Sequence, residues 1–159
     1  MIPARTRTWV RDRRRLICAW AAGTSGVFVV VSTVWMVGPE TVNEVSQGVE
    51  PGEVVGVTFV VAVLGGIVVA LTKAVRFSTV HPEMYLGAAT AALFSFALIA
   101  VWFGGPYFVA GIVTMVAWIV GQTTAGPSVA AQFGVFVAST ASVFALFVAA
   151  AYLASALTP

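Results

Sequence analysis

Charge is what this sequence has least of: Asp, Glu, Lys and Arg make up 9% of the chain, and hydrophobic residues 60%. Soluble domains carry about 25% charged residues, because a surface in water must be covered by groups that water solvates. From Met84 to Pro159 there is no charged side chain at all. That excludes a water-soluble globule, and the apolar material must face hydrocarbon. Cysteine is nearly absent as well. Cys18 is the only one, which excludes an internal disulfide and a cysteine-built metal cluster. His81 is the only histidine, which excludes bis-histidine haem ligation within the chain. A metal centre needs three or four ligands, and no such set is spaced along this sequence. No nucleophile elbow, phosphate-cradling glycine loop or zinc motif occurs. No catalytic residue, metal ligand or cofactor is therefore expected, and the chain is not read as an enzyme.

What is present is a series of long apolar runs. A helix needs about 20 apolar residues to cross a bilayer. Leu16 to Val37 is a run of 22 residues without a charge, too long for a signal peptide and without a small-residue cleavage site at its exit. Further runs give expected helices over residues 54–75, 84–103, 106–122 and 129–157. The runs are continuous, as in Val27 to Val31 and Phe59 to Leu64. Barrel strands would alternate apolar and polar residues instead. The expected fold is an all-α integral membrane protein, a bundle of about five transmembrane helices. Residues 1–15 form a basic tail, 16–157 a single membrane domain, and 38–53 an acidic outer loop with Glu40, Glu44, Glu50 and Glu53. The fourth run is short and bracketed by Gly104-Gly105-Pro106 and Gly126-Pro127. A re-entrant segment, leaving four crossings, is its alternative reading.

Orientation follows from the cations. Arg5, Arg7, Arg11, Arg13, Arg14 and Arg15 precede the first run, and Lys73 and Arg76 follow the second. Short loops rich in Lys and Arg stay in the cytoplasm. Two crossings separate the groups, so both fall on one side and the amino terminus is expected to be cytoplasmic. Arg11, Arg13, Arg14, Arg15, Lys73 and Arg76 are read as topology signals and lipid-headgroup contacts. They sit on apolar helices rather than on a spread basic face, so nucleic acid is not an expected partner.

The last run is the most patterned. At 100° per residue Ala130, Gly134, Ala138, Ser142 and Ala145 fall in one sector, and Phe133, Phe136, Phe144 and Phe147 in another. A stripe of small residues lets helix backbones approach closely. It is a packing surface, either inside the chain or against another subunit. No ionisable residue lies within any expected crossing, although such residues mark ion and proton paths. His81 and Glu83, at the mouth of the third helix, are the remaining titratable pair, with helix capping and solvation as their ordinary role. The expected function is a non-catalytic structural or accessory subunit of a larger membrane assembly, whether respiratory, transport or viral-membrane. Its partners are the lipid bilayer and other membrane subunits, or further copies of itself. The alternative is a small oligomeric channel or carrier with a lumen lined by Gln122, Gln132 and Ser139.

Overall fold

The computed structural model describes residues 4–44, 50–76, 81–101, 104–121 and 127–157; in the first helix, side chains are described at Arg13 and over 15–35. Five helices account for nearly all of them: α1 (Ala4–Glu44), α2 (Pro51–Val75), α3 (Pro82–Ile99), α4 (Gly105–Gly121) and α5 (Val129–Leu157). No strand occurs among the described residues. Proline begins α2 and α3 and is the second residue of α4. Its missing N–H is not needed in a first turn, and its fixed φ suits a helix start. At α2 the backbone N–H of Glu50 also donates to Glu53 Oε2 at 3.2 Å. At α5 the Ser128 hydroxyl accepts from the Ala131 N–H at 3.2 Å, a serine cap.

The first helix differs most from its expected bounds of 16–37. It runs from Ala4 to Glu44, so the arginine-rich tail and the start of the acidic segment are both helical. Arginine is a good helix former and nothing in residues 4–15 breaks a helix. Pro39 removes one backbone donor, but the surrounding turns carry the helix past it. Of the loop expected over 38–53, residues 38–44 belong to α1 and 51–53 to α2. The third helix ends at Ile99, earlier than 103, where the Ala100 N–H closes the last turn on the Phe96 carbonyl at 2.8 Å. Gly104 then folds back on that helix end. A Cβ there would strike the Ala97 carbonyl oxygen and lie 2.9 Å from that of Ala100, so this turn requires glycine.

Helices α1 and α4 run antiparallel, as contacts at their two ends demonstrate. At one end Cys18 of α1 meets Ala117 and Gly121 of α4. At the other, Thr33 of α1 meets Tyr107 of α4. The central helix is α3, packed against α2, α4 and α5 and touching α1. Its apolar window is 56% buried, against 6% for α5, and it is the least hydropathic of the four long helices. The two facts have one cause. A helix surrounded by protein can be built from alanine, glycine, serine and threonine, whereas a helix facing hydrocarbon needs a lipophilic surface. The core is formed by Leu86, Leu93, Ile67, Leu71, Ala22 and Val29, with Phe96 and Tyr107 stacked edge to face at 4.9 Å.

Candidate functional site

Small residues do hold this bundle together, but at α3, α4 and α1 rather than on α5. Trp118 of α4 lies across Gly87 of α3, where a Cβ would come within 3.2 Å of the indole. In return, Phe94 of α3 covers Gly111 of α4, at 3.1 Å from such a Cβ. The Cys18 sulfur fills the space over Gly121, with its Sγ–H directed to the Ala117 carbonyl at 3.5 Å. Cys18 is 3% exposed and faces protein, so it is a core residue and is not placed for acylation from the lipid side. Each glycine sits inside an apolar run, and a run alone does not say which large side chain will cover which glycine.

Most polar groups inside the bundle are satisfied locally, the buried Ser25 hydroxyl being the exception among the described residues. Thr90 shares its proton between the Leu86 carbonyl at 2.7 Å and the Thr114 hydroxyl at 3.1 Å, joining α3 to α4. Thr33 donates to the Val29 carbonyl at 2.7 Å, which leaves its oxygen to accept from Tyr107 at 3.0 Å. Ser95 and Thr114 bond back to their own helix. Such bonds remove the cost of a bare hydroxyl in a medium without water.

Gln132 is the polar residue that the sequence places least well. It is buried on α5, accepts from Trp118 Nε1 at 2.8 Å and donates to the Pro127 carbonyl at 3.0 Å. Trp118 in turn stacks on Phe136 of α5, 5.8 Å away and nearly parallel at 8°. The amide thus fastens α4 to α5 inside one chain and is not offered to a lumen or to lipid headgroups. Ser139 is half-buried, and Gln122 lies outside the described residues.

The α5 surface has two sides. Gln132, Val143 and Phe136 turn toward the bundle, and Phe147 meets Phe59 of α2 at 5.8 Å. At 100° per residue this side is centred about 180° from the small-residue stripe. Ala130, Gly134, Ala138, Ser142 and Ala145 are accordingly all exposed, and a Cβ on Gly134 would meet nothing within 4 Å. Of the two uses open to the stripe, packing within the chain is the one the structure removes. Phe133 and Phe144 are exposed beside it; Phe136 is half-buried against Trp118, and Phe147 touches Phe59 while remaining exposed.

The charged residues gather at the ends. Arg13, Lys73 and Arg76 are exposed and Arg15 is half-buried; the side chains of Arg11 and Arg14 lie outside the described residues. His81 Nδ1 lies 3.4 Å from Glu83 Oε1 in the first turn of α3, with the carboxylate buried and the imidazole part-exposed. No group of three or more His, Cys, Asp or Glu is assembled for a metal among the described residues.

The remaining surface is apolar. Trp20, Val61, Phe133 and Tyr152 are each more than 60% exposed, with many valines between them. Soluble monomers do not carry contiguous apolar surface on this scale. Four helices, containing Arg15–Trp35, Pro51–Val75, Pro82–Ile99 and Val129–Leu157, are long and apolar enough to cross a membrane. Comparison with protein-family models, curated proteins and solved structures finds no match. The fold and surface together define the class, a helical multi-pass membrane protein.

Proposed function

We propose that the chain is a non-catalytic accessory subunit of a larger membrane assembly, with α5 as its docking helix. The observation that carries this reading is the outward position of Ala130, Gly134, Ala138, Ser142 and Ala145. A lipid-facing helix gains nothing from small side chains, because lipid tails contact leucine or valine as well as alanine. A helix that receives another helix gains close backbone approach. The chain's own polar side chains give the same picture. Gln132, Thr90, Thr114 and Tyr107 are spent on internal bonds, which favours a scaffold over a lumen.

In this reading all five helices cross. At 17 residues, α4 is about 26 Å long and near the lower limit for a crossing. It nevertheless runs between the two ends of the bundle, from Tyr107 beside Thr33 to Gly121 beside Cys18. A re-entrant hairpin would return to the end it started from. The arginine-rich end faces the cytoplasm and the four glutamates face outward, as the positive-inside rule requires.

The test is purification of the full chain in mild detergent, followed by mass measurement and identification of what travels with it. Stoichiometric heterologous membrane subunits, lost when Ala138 becomes leucine, support the proposal. A monomer, or a ring of this chain alone, overturns it.

A further inference from the structure

Between α1 and α2 lies a groove that the chain does not fill. It is walled by Gly23, Gly26 and Val27 of α1 and by Val68 and Leu71 of α2, and measures about 340 Å³. Past Gly23, Val27 and Val75 it continues into a wider apolar hollow of about 750 Å³ that reaches Leu16 and Trp20. Binding sites for small organic molecules span about 300–1,000 Å³. A glycine within a helix costs about 1 kcal/mol relative to alanine, so it calls for a reason. At Gly87, Gly111 and Gly121 the reason is a covering side chain. Here a Cβ at Gly23 would meet nothing within 4 Å, and one at Gly26 would make only ordinary contact with Leu71 at 3.7 Å. The space the two glycines leave is used by no part of the described chain.

The groove is open at the basic end. Leu16 and Val75 line it there, and the residues next to them are Arg15 and Arg76. By sequence, all eight Lys and Arg residues belong to this end, against two of the six acids, Asp12 and Glu83. The walls ask for no polar partner. The Thr24 hydroxyl bonds the Trp20 and Ala21 carbonyls, and that of Thr72 bonds the Val68 carbonyl. An occupant complementary to this arrangement is apolar along its length and anionic at one end. A protein helix would need an acidic terminus placed at that one point, whereas a phospholipid has the whole pattern by construction. We propose that this groove holds an acyl chain of an anionic phospholipid, whose phosphate is bound by Arg15 and Arg76. Arginine suits the role because its planar guanidinium matches phosphate oxygens in pairs. Basic pockets between membrane helices favour anionic headgroups for the same electrostatic reason. This inference is independent of the role proposed for α5.

The experiment uses the full chain reconstituted in phosphatidylcholine vesicles. A minor fraction of the lipid is replaced by brominated phosphatidylglycerol or by brominated phosphatidylcholine. The signal is the quenching of Trp20, taken as the difference between the parent and Trp20→Phe. Bound lipid predicts that the anionic probe quenches about fivefold more effectively than the zwitterionic one at equal mole fraction. Arg15→Gln with Arg76→Gln removes that preference and keeps the weaker quenching. Gly23→Leu, whose added atoms enter only the groove, lowers quenching by both probes. Equal quenching of the parent by the two lipids overturns the proposal. So does a preference that survives loss of both arginines, or quenching unaffected by Gly23→Leu. Quenching by neither lipid also overturns it, since the groove would then be closed to acyl chains.

Discussion

An alanine at position 121 would place its methyl carbon 2.5 Å from the Cys18 sulfur. Non-bonded heavy atoms attract best at about 3.5–4.0 Å, so α1 and α4 must part by about 1 Å at this level or Cys18 must turn. Turning is restricted, because Cys18 is 3% exposed and its sulfur is already held against the Ala117 carbonyl. Overpacking of this kind costs about 1–3 kcal/mol. For a chain of this size that is a midpoint loss of roughly 2–12 °C. The assay is the fraction of monodisperse protein in mild detergent after heating, followed by fluorescence-detected gel filtration. The reasoning is tested most sharply by a double-mutant cycle. Cys18→Ala removes the obstructing atom, so Gly121→Ala made in that background is expected to cost less than about 0.5 kcal/mol. The coupling between the two sites is then at least about 0.5 kcal/mol, as for residues in direct contact. If Gly121→Ala is as stable as the parent, or costs the same in the Cys18→Ala background as with the cysteine intact, the close approach of α1 and α4 at this level is wrong.

Gln132→Leu strands the Trp118 N–H and the Pro127 carbonyl in an apolar setting and is expected to destabilise the chain by about 1–3 kcal/mol, measured by the same thermal assay. A shift in Trp118 emission should accompany it, and unchanged stability would show that the amide bond is not formed. Ala138→Leu is expected to leave the stability of the isolated chain within about 0.5 kcal/mol of the parent, because the site is exposed, while assembly is lost. Equal recovery of partners with the variant would refute a docking role for the stripe. Neutralising Arg11, Arg13, Arg14 and Arg15 together should produce molecules inserted in both directions, read by accessibility labelling of an introduced cysteine near Glu50. A single unchanged sidedness would mean that Lys73 and Arg76 suffice.

The positions of four of the five helices could be read directly from the order of residues, because length and continuity of apolar runs are local properties. The break at Gly104-Gly105-Pro106 and the start of α5 at Val129 were legible for the same reason. The extension of α1 to Glu44 was not, since the apolar run stops at Val37 and the turns around Pro39 carry the helix on. Packing partners were legible least. The alanine and serine stripe on α5 looked like an internal contact as readily as an external one, and periodicity cannot say which side of a helix turns inward.

The amino-acid order by itself determines the solvent of this protein, since hydrocarbon burial is a sum over residues and does not depend on which helix meets which. It also determines the charge polarity of the two ends, with arginines at one and four of the five glutamates at the other. Only the tertiary arrangement decides that Gln132 is consumed by Trp118, that Cys18 needs Gly121, and that the glycines of α1 border an unfilled groove. Each of these depends on distances between residues far apart in the chain, and those distances exist only once α3 has gathered the other helices around it.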